Sequence, residues 1–307
     1  MDDLVTPRTA DIAYETETPV RYEVRDAVAW IVMDRPRYNN AQNSLMTYAL
    51  DDAFRRAVDD DGVRAIVLAG EGKHFSAGHD IGTPGRDVAQ SFERRLLFAD
   101  HSNKPCAEML YTREQEVYLG MCRRWRDAPK PTVAAVQGAC IAGGLMLAWV
   151  CDLIVASDDA YFQDPVVRMG IPGVEYFAHV HELNPRIAKE FLFLGERMPA
   201  ERAYMMGMVN RVVPRAELEA RTLEMAAKVA SQPRMGLALT KTVINRVEEM
   251  QGLRTTMDLA FGYHHFAHTH SQVLGAGTLG GQDAKSMVQG NKAREAEAGQ
   301  KKEGGGA

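Results

Sequence analysis

Two short runs constrain this chain more than any other feature. Val63–Ala69 (VRAIVLA) and Thr132–Val136 (TVAAV) are nearly all apolar and too brief for a helix, and they run into glycine at Gly70-Glu71-Gly72 and at Gly138. A strand with one wet face alternates in polarity. A strand that is apolar almost throughout is covered on both sides, the condition of a parallel sheet. Leu153–Ala156 reads the same way, and Arg21–Met33 reads as a strand pair turning at Asp26. Between the strands lie helical periods. Ser44–Val58 carries Leu45, Tyr48, Ala49, Phe54 and Val58 on a mostly 3- or 4-residue beat, a second helix ends near Asp127-Ala128-Pro129, and Leu145–Val150 opens after the glycines at 138–144. Strand alternating with helix predicts an α/β fold with largely parallel strands.

Beyond Pro185 the pattern turns helical almost throughout: Ala188–Leu194, Ala200–Met206, Arg215–Ser231, Gly236–Gln251 and Leu253–His270. The chain divides accordingly into a loose arm (1–18), an α/β core (19–200), a helical region (201–289) and a charged, glycine-rich tail (290–307) whose composition cannot offset its ordering entropy. With 307 residues, 46% of them hydrophobic, there is enough chain for a large core. A net charge of −5 without an extended basic run excludes an electrostatic footprint for nucleic acid. No stretch approaches the roughly 20 apolar residues of a membrane span. The acidic start, Met1-Asp2-Asp3, is unlike a secretory signal, so the expected setting is cytoplasmic and away from membranes. Cys106, Cys122, Cys140 and Cys151 show no CxxC spacing and read as reduced thiols, several of them buried.

Two strand exits carry the candidate chemistry: Phe75-Ser76-Ala77-Gly78-His79-Asp80 and Gly138-Ala139-Cys140-Ile141-Ala142-Gly143-Gly144. In a parallel sheet both emerge at the carboxyl edge, where their backbone N–H groups can converge on one oxygen. The plainer alternative is a pair of tight turns in which glycine avoids a clash. Neither GxxxxGK[ST] nor GxGxxG is present, so a phosphate loop is not expected. In Phe261–His270 (FGYHHFAHTH), His264 and His268 share a helix face, but no HExxH order and no nearby carboxylate accompany them, so no metal is expected.

The order of several motifs resembles the crotonase superfamily. These are Arg35-Pro36 with Asn40-Ala41, Gly72–Ile81 (GKHFSAGHDI), Pro129–Gly138 (PKPTVAAVQG), Gly143-Gly144 with Cys151-Asp152, Phe162 with Pro165, Gly170, and Ala203 with Gly207-Met208-Val209-Asn210. The resemblance spans roughly residues 20–250. It implies a spiral of ββα units, a C-terminal helical region (201–289) serving trimerisation, a homotrimer or dimer of trimers, and an acyl-CoA thioester as substrate, with coenzyme A part of that substrate and no separate cofactor. It also implies an oxyanion hole formed by the backbone N–H groups of His79 and Gly143, and it sets Arg35, Asn40, Ala77, Met146 and Val166 along the substrate.

At the two positions where hydratases of this family carry glutamates the chain has Met146 and Val166, neither of which transfers a proton. Two carboxylates stand as replacements. Glu175 lies among apolar Val174, Tyr176 and Phe177, where burial would raise its pKa; Asp164 precedes Pro165. Each also has a plain reading, Glu175 as a helix N-terminal carboxylate and Asp164 as a loop or N-cap carboxylate. The His79 side chain resembles one that lies beside the substrate carboxylate in a decarboxylase-like branch of the superfamily. His179 and His181 read as packed or solvated. The expected activity is enoyl-CoA hydratase/isomerase-like chemistry through a thioester enolate. The alternatives are an acyl-CoA decarboxylase, a thioester hydrolase, or a catalytically silent acyl-CoA-binding protein. Residues 82–128, with Arg86, Arg94 and Arg95, are expected to shape the acyl pocket.

Overall fold

The computed structural model describes residues 18–81 and 106–275. The expected arm, apart from its last residue, Arg86, Arg94 and Arg95 of the expected acyl pocket, and the tail from 290 lie outside the described residues. β1 (Val20–Arg25) and β2 (Val28–Met33) are antiparallel about Asp26, which takes a φ of 53°, a conformation Asp adopts more readily than most residues. α1 (Ser44–Asp59) starts at Asn43, whose side chain accepts the Met46 N–H at 2.9 Å. β3 (Ala65–Gly70) follows. The helix expected to end near Asp127 is α2 (Cys106–Glu114), a π-helical turn at Gln115–Gly120, and α3 (Met121–Arg126). Then come β4 (Thr132–Val136), β5 (Ala139–Ile141), α4 (Gly143–Trp149), β6 (Leu153–Ser157) and β7 (Tyr161–Gln163). A 3-10 turn at Val166–Met169 precedes α5 (His179–Glu182), α6 (Pro185–Leu194), β8 (Met198–Pro199), α7 (Ala200–Met205) and β9 (Arg211–Val213). The described chain ends in α8 (Leu218–Ala230), α9 (Arg234–Met250) and α10 (Leu253–Val273).

Six strands form one sheet, in the order β1-β2-β3-β4-β6-β9, and every pair beyond β1 and β2 is parallel. A three-stranded sheet, β5-β7-β8, lies apart from it. Each pass through the core therefore spends one strand on each sheet, β4 then β5 and β6 then β7, which gives the ββα spiral with helices at its C-terminal end. Alternate residues of the large sheet serve two cores. Ile31, Met33, Ile66, Leu68, Ala134 and Val136 join the main core. Val28, Trp30, Val32, Val67, Val133 and Ala135 face Leu218, Ala226 and Ala230 of α8. Cover on both faces is why these strands are apolar throughout.

The buried face of α1 runs through Met46, Leu50, Ala53, Phe54 and Ala57, and Tyr48, Ala49 and Val58 of the expected beat pack, partly buried, against the same core. Asp51 is also buried on this helix, where it accepts the Trp125 Nε1–H at 2.9 Å and pairs with Arg124. The segment after Gly138 is not glycine loop alone, a correction to the expectation, and the region beyond Pro185, helical over most of its described length, also carries two short strands. β5, β8 and β9 are strands of three, two and three residues, too short to show alternation. Cys122, Cys140 and Cys151 are buried free thiols, and burial pushes that of Cys151 up to about 12. Among the described residues no helix is long and apolar enough to cross a membrane.

Candidate active site

The two glycine-containing exits lie side by side. Phe75 N–H donates to Gln137 O (2.8 Å), Ser76 N–H to Ala139 O (3.1 Å) and Ile141 N–H to Ser76 O (3.0 Å). On its other edge the first loop is held by residues 39–42: Ala77 N–H reaches Asn39 O (2.9 Å), and Gln42 N–H reaches Gly78 O (2.8 Å). Gly78, at φ +95°, is required at this crossing, since a Cβ there would lie 2.8 Å from Ile141 O and 3.2 Å from Gly143 N. The Gly78–His79 peptide thus runs alongside Gly143. A Cβ at Gly143 would overlap the His79 ring. Gly143 is also the first residue of α4, so its N–H has no carbonyl to meet within that helix. Ala142 just before it stands at φ 48°, ψ −116°, a strained conformation for a residue with a Cβ and of the kind that clusters at working sites.

Arg35 and Asn40 knit the loops from behind. Asn40 Oδ1 accepts the Arg35 N–H at 2.9 Å, and Nδ2 donates to Glu71 O (2.9 Å) and His74 O (2.8 Å). The Arg35 guanidinium bonds Ala41 O and pairs with Asp80 at 3.2 Å. Both side chains are buried, with their polar atoms turned to backbone and Asp80. Ala77 is half-buried in the loop, and Met146 on α4 and Val166 in the 3-10 turn are buried in the main core.

The His79 ring is the meeting point. It stacks on Tyr118 with centroids 3.7 Å apart and planes at 6°, its edge covers Gly143, and Nδ1 lies 3.6 Å from Glu175 Oε1. Glu175 is 3% exposed, and burial pushes its carboxyl up to about 7 against the opposing field of His264. It stands four places before α5, which removes the reading of a helix N-terminal carboxylate. Behind it Glu175 Oε1 is 3.7 Å from His264 Nε2. His264 donates Nδ1–H to Gly173 O at 3.0 Å, and its Nε2 faces Glu114 at 3.5 Å. Burial alone would lower His264 and raise Glu114; pressed together, His264 rises to about 9 and Glu114 is held well below the usual carboxylate range.

Tyr118, on the π turn, and Glu114, at the end of α2, are absent from the residues picked out in the sequence. Their stretch is polar and aperiodic, and only the folded packing of α2 against α10 brings them in. Glu114 also supplies the carboxylate that the local sequence around His264 and His268 lacks.

Asp164 is brought near Glu175 but placed differently. It is fully buried; its oxygens accept from Val166 N (3.3 Å) and Val174 N (3.4 Å), and Oδ2 meets His179 Nε2 at 2.8 Å. His179 is itself buried, edge-on to Trp149.

The family model for enoyl-CoA hydratase/isomerase matches residues 23–278 of this chain. A protein of Mycobacterium tuberculosis (strain H37Rv), named as an enoyl-CoA hydratase, EchA13, is 38% identical over 271 residues, 85% of this chain and 84% of that protein. 4-Chlorobenzoyl coenzyme A dehalogenase-2 of an Arthrobacter species is 30% identical over 236 residues, 75% of this chain and 78% of that protein. A crystal structure from Mycobacterium smegmatis, described as an enoyl-CoA hydratase, superposes with a TM-score of 0.77 at 42% identity, covering 86% of this chain and 100% of the other.

Proposed function

The chain belongs to the enoyl-CoA hydratase/isomerase family of crotonase-superfamily acyl-CoA enzymes, and from that premise we propose that it forms a thioester enolate, with the N–H groups of His79 and Gly143 as oxyanion donors and Glu175 as the group that takes and returns the proton. The observation that carries this reading is the position of Glu175. It is a buried carboxylate 3.6 Å from the ring of His79, whose own peptide runs along Gly143. Two fixed donors in a dry site each contribute on the order of 3 kcal/mol to a developing oxyanion, and a positioned carboxylate contributes roughly 100- to 10,000-fold.

Met146 and Val166 remain buried in the apolar core, which supports a reaction without the two-carboxylate activation of water. Asp164 serves the loop rather than the proton, because its oxygens are already engaged by Val166, Val174 and His179. Coenzyme A enters only as part of the substrate. Self-association, as a homotrimer or a dimer of trimers, would cover the exposed stripe of Met235, Leu239, Val243, Val247 and Met250 on α9, which is too long an apolar face to leave in water. Three buried thiols fit a reducing, cytoplasmic setting.

The same apolar pair, Met146 and Val166, favours a second reading, a silent acyl-CoA binder. A panel of enoyl-, 3-hydroxyacyl- and malonyl-type CoA thioesters separates the two. We expect turnover of at least one; tight binding of acyl-CoA with no turnover of any would establish the silent binder and end the enzyme reading.

A further inference from the structure

We propose that Glu114, His264 and His268 form a binding site for a divalent ion of the Zn²⁺ class, clipping α2 to α10 beside Glu175. Each of the three offers one ligand atom, all within 4.8 Å of one another, and all three residues are buried. His264 Nε2 and His268 Nε2 face each other at 2.9 Å, and Glu114 Oε2 lies 3.5 Å from His264 Nε2. A tetrahedral ion with bonds of about 2.0–2.1 Å sets its donors roughly 3.3 Å apart, so these two spacings lie on either side of what the ion needs, and the third, Glu114 to His268, is within 4.8 Å.

Three further features support the assignment. The two histidines are four residues apart on one helix, so the backbone itself holds them on one face. His264 gives its Nδ1–H to the Gly173 carbonyl, which turns the ring and leaves Nε2 as the atom aimed into the cluster; such an outer contact is the usual companion of a ligating imidazole. Glu114 Oε2 is buried and, among the described residues, is aligned for a hydrogen bond to nothing, although His265 Nε2 is only 3.2 Å away. A single proton can join one pair of these atoms, whereas a dication joins all three. Glu175 lies beside this set, with Oε1 3.7 Å from His264 Nε2, and with three protein ligands the ion's fourth position would be taken by water rather than by Glu175.

The test is a titration of the full-length protein, stripped with a chelator, with Co²⁺ followed by visible absorption and with Zn²⁺ in competition with a chromophoric chelator. Wild type should bind one equivalent with a tetrahedral Co²⁺ spectrum and melt at a higher temperature when loaded. His264→Ala, His268→Ala and Glu114→Gln should each weaken binding by more than the roughly 10- to 100-fold that loss of an outer-shell partner costs. His270→Ala, an exposed histidine of the same helix, and Glu175→Gln should bind as wild type. Folded wild type that takes up no stoichiometric Co²⁺ or Zn²⁺ overturns the site without reference to any variant. Undiminished binding in His264→Ala and His268→Ala, or loss of binding in Glu175→Gln, overturns the ligand assignment. None of these readouts depends on turnover, so the site stands or falls apart from the enolate reading.

Discussion

Asp164 and Glu175 sit at two ends of one loop region, both buried, both carboxylates, in opposite situations. Asp164 is saturated: two backbone amides and the His179 ring converge on its oxygens, and its charge holds the loop's shape. Glu175 has its neighbours at 3.6 and 3.7 Å, just beyond hydrogen bonding, and among the described residues its buried Oε2 has no hydrogen-bond partner. Burial that only the nearby field of His264 and a backbone contact oppose is costly for a group that only supports structure. It suits one that must change protonation, because neither state is locked by fixed donors. Both carboxylates are buried, so what separates them is the number of donors aimed at each, and the proposed role of Glu175 rests on that difference.

The largest effect expected from breaking this contrast is at Glu175. Glu175→Gln should reduce turnover of whichever thioester the panel identifies by about 100- to 10,000-fold, in a protein that a thermal melt shows to be folded. Gly143→Pro, which deletes one oxyanion donor and also sets a ring against His79, should cost at least about 100- to 1,000-fold while acyl-CoA binding, followed by calorimetry, persists. An unchanged rate in a folded Gly143→Pro protein would discard the oxyanion assignment. At Asp164 the effect should move from rate to stability. Asp164→Asn replaces a charged acceptor of the His179 bond and should destabilise by about 1–3 kcal/mol, read as a lowered melting midpoint with a smaller loss of rate than Glu175→Gln. The smallest change sharpens the comparison from the loop side. Ala142→Gly relieves the strained backbone at φ 48° but frees the unfolded chain, so denaturation should show a shift of about 1 kcal/mol or less.

How far the sequence reaches follows the same physics. Strands buried on both faces announce themselves by being apolar throughout, so β2, β3, β4 and β6 were legible. The glycine exits were legible as well, since close backbone approach at Gly78 and Gly143 leaves no room for a side chain. Glu175 was legible as a candidate through its apolar neighbours, but not its separation from Asp164, which depends on where His179 and the 166 and 174 amides fall. β5, β8 and β9 are too short to carry a period. No periodicity of apolar residues reports the buried Asp51 of α1, which accepts the Trp125 Nε1–H. Tyr118 and Glu114 reach His79 and His264 only through tertiary packing, so nothing local announces them.

The central claim is that Glu175, 3.6 Å from the His79 ring, moves a proton at the carbon next to the thioester. It is tested most directly by following hydrogen–deuterium exchange at the acyl Cα of a saturated acyl-CoA in D₂O, by mass spectrometry, for wild type, Asp164→Asn and Glu175→Gln. The account predicts enzyme-dependent exchange in wild type, retained in folded Asp164→Asn and reduced at least about 100-fold in Glu175→Gln. Exchange that survives undiminished in Glu175→Gln, or disappears in a folded Asp164→Asn while persisting in Glu175→Gln, would contradict it.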